Sequence, residues 1–182
     1  MKLILDVENT VTKRDGKMHL DPFEPDNSLV MVGILPADIK DDVRTRIYTF
    51  DHADIQPTFN GKEELQLNLD NTTLLIGHNI AYDLLWLWES GFKYDGDVYD
   101  TMLNEYILQR GVKEPLTLEA CAERYGATPK SDTLKEYFAK GYSTRDIPHA
   151  ELCEYLRADL LATRDVYHNL MRRYNQADNA GL

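Results

Sequence analysis

The chain has 182 residues, of which 43 % are hydrophobic and 28 % charged, as expected for a globular protein with one sizeable core. Its net charge of −11, from 31 acidic and 20 basic residues, argues against a protein that holds nucleic acid by its own cations alone. No apolar run reaches the roughly 20 residues that a bilayer requires, and the N-terminus lacks the length of a signal peptide, so we expect a cytoplasmic protein with no membrane partner.

The first third of the chain predicts strands. Residues 3–10 (LILDVENT) and 44–51 alternate between apolar and polar side chains, and residues 28–35 form an apolar, β-prone run. Residues 10–27 are polar and rich in turn formers, so we expect a long loop or a loose hairpin there. Three consecutive strands separated in this way favour an antiparallel meander.

Helices and strands alternate in the rest of the chain, and Asp100 is a candidate helix N-cap. The predicted elements are a helix over 61–69, a strand over 72–77, a helix over 79–91, a strand leading into a helix over 97–111, and helices over 117–126, 132–141 and about 148–174. This order predicts an α/β domain in which helices cover a mixed sheet. We expect one domain over residues 1–174 and a frayed polar tail over 175–182.

Four acidic residues stand where apolar side chains are expected. Asp6 and Glu8 share one face at the end of the first strand, where like charges repel. Asp83 and Asp159 fall on apolar stripes of their helices. Each acid could meet an arginine or a solvent gap, but four together favour a hard cation such as Mg²⁺ or Mn²⁺.

Other site chemistries lack their sequence patterns. The five histidines show no H-E-x-x-H pairing, and His78, the one closest to the acids, is expected to be a packing or hydrogen-bonding residue. The chain has no phosphate-binding glycine loop, dinucleotide turn or G-x-S-x-G elbow. Cys121 and Cys153 lack C-x-x-C spacing and are expected on helices as small apolar side chains.

Three motifs in order carry a resemblance to a known family. The segments DVE (6–8), GHNIAYD (77–83) and YLRAD (155–159) resemble the three motifs of the DEDD exonuclease superfamily. The intervening YDTMLNEYIL (99–108) and LTLEACAERYG (116–126) resemble the 3′→5′ proofreading domain of family A DNA polymerases, especially phage-type ones. The chain is also similar to ribonuclease D.

The third motif distinguishes two variants of the superfamily. One variant has histidine five residues before the last aspartate, where this chain has Glu154. The other has tyrosine four residues before it, and Tyr155 stands at that position relative to Asp159. Because side chains four residues apart lie on one helix face, the chain resembles the tyrosine variant.

The resemblance implies a ribonuclease H-like fold, with a mixed five-stranded sheet flanked by helices, and hydrolysis assisted by two divalent cations, Mg²⁺ or Mn²⁺. By the same resemblance, Asp6, Glu8 and Asp159 hold one ion, and Asp6 bridges to the second. Asp83 acts on the second ion, largely through water, and Tyr155 orients the attacking water. The catalytic set is therefore expected to be these five residues.

The resemblance also implies contacts with the end of the substrate. Asn79 matches the motif position that contacts the terminal nucleotide. The main chain at Asn9 and Thr10 is expected to receive the terminal 3′-hydroxyl, and Tyr82 is a weaker candidate for packing against splayed bases.

We therefore expect a metal-dependent exonuclease that hydrolyses terminal phosphodiesters at the 3′ end of single-stranded DNA to nucleoside 5′-monophosphates. It would proofread for a phage-like DNA polymerase, present as a neighbouring domain or subunit, in a bacterial host cytoplasm if phage-encoded. Two alternatives stay open: a ribonuclease D-like enzyme that processes RNA 3′ ends, and a catalytically inactive scaffold domain.

Overall fold

The computed structural model describes residues 1–40, 44–127 and 133–179. The strands are β1 (Lys2–Asn9), β2 (Thr12–Arg14), β3 (Lys17–His19), β4 (Leu29–Pro36), β5 (Arg46–Thr49), β6 (Leu74–Gly77) and β7 (Asp97–Asp100). The helices are α1 (Gly61–Asp70), α2 (Ile80–Glu89), α3 (Thr101–Leu108), α4 (Leu118–Arg124), α5 (Thr133–Ala139) and α6 (His149–Asn179).

Five of the strands form one mixed sheet in the order β5-β4-β1-β6-β7. Strand β4 pairs antiparallel with both β1 and β5, which confirms the predicted meander. On the other side of β1, strand β6 runs parallel to β1 and strand β7 runs parallel to β6. Helix α2 is the crossover that connects the parallel strands β6 and β7. The predicted fold class, a mixed five-stranded sheet flanked by helices, is confirmed, and β1 is its central strand.

Successive side chains of β1 alternate between two hydrophobic cores, one on each face of the sheet. Leu3, Leu5 and Val7 pack in a buried cluster with apolar side chains of α1 and α2. Ile4 points to the other face and packs in a cluster with Leu160 of α6. Because side chains alternate with a period of two, the next two residues on the α6 face are the acids of the first motif.

Residues 10–27 contain a second, two-stranded sheet made by β2 and β3. Asp15 and Gly16 connect the strands, with φ angles of 51° and 74°. Positive φ at both central residues is the geometry of a type I′ turn, whose backbone twist matches the strands of a hairpin. Of the two predicted forms, loop or loose hairpin, the structure shows the hairpin.

Helix ends follow local chemistry with one correction. Asp100 caps α3, since its side chain accepts hydrogen bonds from the amides of Met102 and Leu103. Helix α6 continues to Asn179, so the predicted helix end at Tyr174 is five residues too early. The fraying of the tail over 175–182 stays a prediction. The polar residues 175–179 contain neither glycine nor proline, so they can continue the helical hydrogen bonding. The rest of the predicted tail, 180–182, lies outside the described residues.

The two cysteines lie on helices, as predicted. Cys121 lies on α4 and Cys153 on α6, and both are free thiols. Among the helices of the described ranges, none is both long enough and apolar enough to cross a membrane. Position 132, the predicted first residue of α5, falls in the gap between the described ranges.

Candidate active site

Three carboxylates meet where the central strand ends. Asp6 and Glu8 lie half-buried near the end of β1, and Asp159 is buried on α6. One carboxylate oxygen from each residue lies within 4.8 Å of the other two. The sheet and the helix therefore bring together residues that are more than 150 positions apart in the chain.

A glycine allows α6 to approach the sheet at this point. Gly33 of β4 pairs directly opposite Asp6 in the antiparallel ladder. A Cβ atom added at Gly33 would lie 2.7 Å from Cδ1 of Leu160 and 2.9 Å from Cγ of Leu156, closer than real packing allows. Helix α6 therefore sits against the β4 main chain, and the residue before Leu160 is Asp159.

Asp83 lies beside this cluster but outside the group of three. It is buried in α2 with 3 % of its surface exposed, and its Oδ1 accepts a 3.0 Å hydrogen bond from the main-chain amide of Val7. Burial, followed by the negative charges of Asp6 and Glu8, raises the pKa of the Asp83 carboxyl well above its usual range, although the Val7 amide opposes this shift. A cation bound next to Asp83 would favour the charged form of this carboxyl and lower its pKa.

The chemistry of the cluster fits a hard divalent cation. Carboxylate oxygens are the ligands that Mg²⁺ and Mn²⁺ prefer, and the three oxygens of Asp6, Glu8 and Asp159 are close enough to share one ion. Three carboxylates at this separation repel each other, and a bound cation would convert that repulsion into attraction. The site therefore meets the requirements of donor type and spacing for a metal centre.

Tyr155 lies one helical turn before Asp159. It is half-buried and packs against the cluster that contains Leu152 and Leu156. Because residues four apart share a helix face, the ring lies on the side of α6 that carries Asp159. The role of Tyr155 in the third motif stays a prediction.

His78 has a hydrogen-bonding role. Its Nδ1 lies 2.8 Å from the Thr101 hydroxyl, and its Nε2 lies 2.7 Å from the carbonyl oxygen of Leu116. The two contacts tie the start of the second motif to α3 and to the segment before α4. The expectation that His78 is a hydrogen-bonding residue is confirmed.

Asn79 sits at an exposed turn between β6 and α2. Its backbone is left-handed, with φ 62° and ψ 50°, a conformation that asparagine tolerates better than most residues. Its main-chain amide donates a 2.9 Å hydrogen bond to Oδ1 of Asp100, the same oxygen that caps α3. Sequence reasoning found the cap but not this second contact, which holds the exposed asparagine in place.

The residues predicted to contact the end of the substrate, Asn9, Thr10 and Tyr82, are connected by hydrogen bonds within the protein. A register shift occurs between Glu8 and Asn9 in the pairing with β4. The Asn9 amide group donates to the carbonyl oxygen of Thr10, and its Oδ1 accepts a 2.6 Å hydrogen bond from the Tyr82 hydroxyl. The Thr10 amide donates to the carbonyl oxygen of Ser28. Asn9 is therefore linked to both Thr10 and Tyr82, and Thr10 is linked to the residue before β4.

A family of 3′–5′ exonucleases matches residues 35–175, more than three quarters of the chain. The chain belongs to this exonuclease family. The family is part of the DEDD superfamily, so the predicted resemblance and the predicted enzyme class, a 3′–5′ exonuclease, are both confirmed. The matched region contains Asp83, Tyr155 and Asp159 and begins after Asp6 and Glu8, which the fold brings to the same place.

Solved structures of nucleases share the fold of this exonuclease. NrnC of Brucella melitensis with bound Mg²⁺ has a TM-score of 0.62 and 20 % identity, with 97 % of this chain and 75 % of that chain covered. The same protein bound to pGG has a TM-score of 0.61 and 21 % identity over 97 % and 74 %. A structure described as the apo form of the nuclease has a TM-score of 0.63 and 16 % identity over 97 % and 74 %. No curated protein sequence matches the chain.

Proposed function

We propose that this exonuclease removes nucleotides one at a time from the 3′ end of single-stranded nucleic acid and releases nucleoside 5′-monophosphates. The observation that carries the proposal is the group of Asp6, Glu8 and Asp159, whose oxygens lie within 4.8 Å of one another. Such a group suits divalent-cation chemistry on a phosphodiester, which is the reaction of the family.

Two divalent cations, Mg²⁺ or Mn²⁺, are proposed as cofactors. Asp6, Glu8 and Asp159 would hold one of them, Asp6 would also serve the second, and Asp83 would act on the second largely through water. When bound, the cations supply a water of lowered pKa and stabilise the charge on the departing 3′ oxygen. The Mg²⁺ found in a structure of the same fold supports this choice of ion.

The protein's own groups orient the reactants. Tyr155, on the Asp159 face of α6, holds the attacking water by its hydroxyl group. Asn79 is exposed, and its main-chain amide is fixed by a hydrogen bond to Asp100. Asn79 contacts the terminal nucleotide. The main chain at Asn9 and Thr10 receives the terminal 3′-hydroxyl, and Tyr82 packs beside the sugar and bases.

Single-stranded DNA is the first candidate substrate. The matched family takes its name from the exonuclease domain of DNA polymerase A, and the motifs between the acids resemble the phage-type members of that group. On this proposal, a polymerase domain or subunit delivers the frayed 3′ end. Delivery by a partner also accounts for a net charge of −11, which disfavours capture of a polyanion by the exonuclease alone.

Short RNA is a second candidate, favoured by a specific observation. A nuclease of the same fold has been solved with pGG, a name that denotes a phosphorylated dinucleotide of guanosine. Cleavage of short RNA would need the same metal site, so sugar preference is decided at the residues that meet the terminal nucleotide.

The test is digestion of matched DNA and RNA oligonucleotides labelled at the 5′ end, each with Mg²⁺, with Mn²⁺ and with chelator. One-nucleotide ladders that shorten from the 3′ end are expected with either metal and not with chelator. Faster decay of the DNA supports proofreading, and faster decay of the RNA, above all of dinucleotides, supports the second candidate.

An Asp6→Ala preparation purified in parallel controls for contaminating nucleases. A ladder of equal intensity from this variant would mean that the wild-type signal is not intrinsic. Absence of turnover by the wild-type protein on every substrate would contradict the proposal and support the inactive scaffold.

A further inference from the structure

The hairpin β2–β3 is fixed to the edge of the candidate active site. It begins soon after Asn9, the last residue of β1, and Leu20 directly follows its second strand. The Leu20 carbonyl oxygen accepts hydrogen bonds from the Tyr82 hydroxyl at 3.1 Å and from Nε1 of Trp86 at 3.2 Å. The amide group of Asn9 reaches the same oxygen at 3.4 Å. The base of the hairpin is therefore joined to α2 and to the residue after Glu8.

One face of the hairpin is occupied by contacts with the segment that follows it. Arg14 forms a 2.6 Å ion pair with the buried Glu24, and the Thr12 hydroxyl donates to the side-chain oxygen of Asn27 at 2.7 Å. Asp26 lies 3.5 Å from the same guanidinium group. Two acids of this segment are thereby paired with Arg14, and this inner face has a structural role.

The opposite, outer face combines a cation with exposed apolar side chains. Lys13 pairs across the hairpin with Met18, and residue 20 follows on the same side by alternation. Met18 is 59 % exposed and Leu20 is 49 % exposed. Lys13 is exposed on this outer face, whereas Lys17 pairs with Arg14 and belongs to the inner face. A chain with 31 acids and 20 bases therefore presents one lysine beside two apolar side chains on the outer face of the hairpin.

We propose that the outer face of this hairpin binds the single strand a few nucleotides upstream of the scissile phosphodiester, with Lys13 on a phosphate and with Met18 and Leu20 against bases. The inference rests on the proposed function. Single-stranded nucleic acid is the partner that fits, because a lysine neutralises a phosphate and leucine and methionine side chains pack against base steps. Lys13 is five positions after Glu8, so the lysine lies within about 18 Å of the site.

The test compares two single variants with the same change of charge. Lys13→Ala, the hairpin variant, removes the outer-face cation. Lys2→Ala is the matched control, since Lys2 is exposed and lies neither on the hairpin nor in the site. Each protein is assayed with Mn²⁺ on the p-nitrophenyl ester of thymidine 5′-monophosphate, which fills only the catalytic centre, and on single-stranded DNA of twelve nucleotides.

We expect the hairpin variant to hydrolyse the small ester at the wild-type rate. Its KM for the twelve-nucleotide strand should rise by roughly three- to fivefold at 0.1 M salt, and the slope of log KM against log salt should fall by about 0.7, the value for one phosphate that a lysine no longer neutralises. The control variant should match the wild type on both substrates. Met18→Ser should raise the KM for the long strand without changing the salt slope, because it removes an apolar side chain and no charge.

Three results would overturn the inference. Equal KM values for the hairpin and control variants on the long strand would show that the hairpin does not contact nucleic acid, and its outer face would then suit a protein partner. A parallel loss on the small ester would show that the hairpin acts through the catalytic centre. If wild-type protein cleaves neither substrate, the proposed function itself fails, a result that the first two outcomes cannot produce.

Discussion

The main-chain amide of Val7 donates a 3.0 Å hydrogen bond to the buried carboxylate of Asp83. Val7 lies between Asp6 and Glu8, so the segment of β1 that supplies these two acids also holds Asp83 of the second motif in place. The hydrogen bond favours the charged form of Asp83, but burial and the neighbouring acids outweigh it, so the pKa of this carboxyl is raised in the metal-free protein.

Asp83→Asn is expected to stabilise the metal-free protein at neutral pH, because asparagine keeps an oxygen that accepts the Val7 hydrogen bond and removes the buried charge. The folded-state pKa of Asp83 is raised, so its protonation stabilises the fold below the unfolded value of about 3.9. This contribution is lost as the pH rises through the folded pKa. Thermal melts in chelator from pH 4 to pH 8 should therefore show a smaller decline for the variant than for the wild type.

The matched control for this variant is Asp97→Asn, an exposed aspartate on the edge strand β7. It should change the melting profile little, because surface substitutions are usually within about 0.5 kcal/mol of neutral. An Asp83→Asn protein that melts lower than the wild type in chelator at pH 7 would contradict the account of Asp83 as a strained charge.

Asp6→Ala is expected to be the most damaging single substitution in the site, because Asp6 is proposed to touch both cations. Loss of kcat/KM on a 5′-labelled oligonucleotide should be on the order of 10²-fold or more, as for groups that stabilise developing charge. Calorimetric titration with Mn²⁺ should show a larger loss of affinity for this variant than for Asp83→Ala. The reverse order of affinities would assign the bridging position to Asp83.

Tyr155→Phe separates binding from chemistry. The ring packs against a buried cluster, so phenylalanine keeps the packing and removes only the hydroxyl group. We expect unchanged Mn²⁺ affinity and a fall in kcat on the order of 10²-fold, because the loss is confined to water orientation. A drop in metal affinity equal to that of Asp159→Ala would remove Tyr155 from the role proposed for it.

Gly33→Ala tests the packing between β4 and α6 without touching a polar atom. The added methyl group would meet Leu156 and Leu160 at 2.9 Å and 2.7 Å, and overpacking of this kind costs about 1–3 kcal/mol. As α6 shifts outward, Asp159 should move away from Asp6, so Mn²⁺ affinity should fall. Calorimetry and thermal melts measure the two effects, and Gly33→Ala/Leu160→Ala, which restores space, should recover part of both.

Much of the site could be predicted because its residues stand in recognisable local sequence patterns. Acids at the end of an apolar strand, and acids on apolar helix faces, are recognisable from period alone, and Asp100 is identifiable as a cap from its place before a helix. Asp6, Glu8 and Asp159 do meet in space. Asp83 is predicted beside them, and the structure adds that its partner is a main-chain amide, which no side-chain pattern reveals.

Contacts between distant segments could not be predicted. The closeness of α6 to β4 depends on which helix covers Gly33, although a glycine inside an apolar strand does indicate close approach of another element. The anchoring of the hairpin depends on Leu20 meeting Tyr82 and Trp86, two residues that belong to a helix more than 60 positions later. Polar composition predicts a loop, and only tertiary contacts determine where it lies.

The position of β1 in the middle of the sheet has a consequence for how activity is lost. Leu3 and Ile4 are paired on both sides, with β4 and with β6, so their amides should exchange hydrogen only in the largest opening of the molecule. Asp6 and Glu8 lie further along the same strand, paired with β4, so heat inactivation should coincide with the melting of the pairing between β1 and β4. The small hairpin β2–β3 is held by a few contacts at its base and can open far more often than β1. Its contact with bound nucleic acid can therefore break and form again while the catalytic centre stays intact.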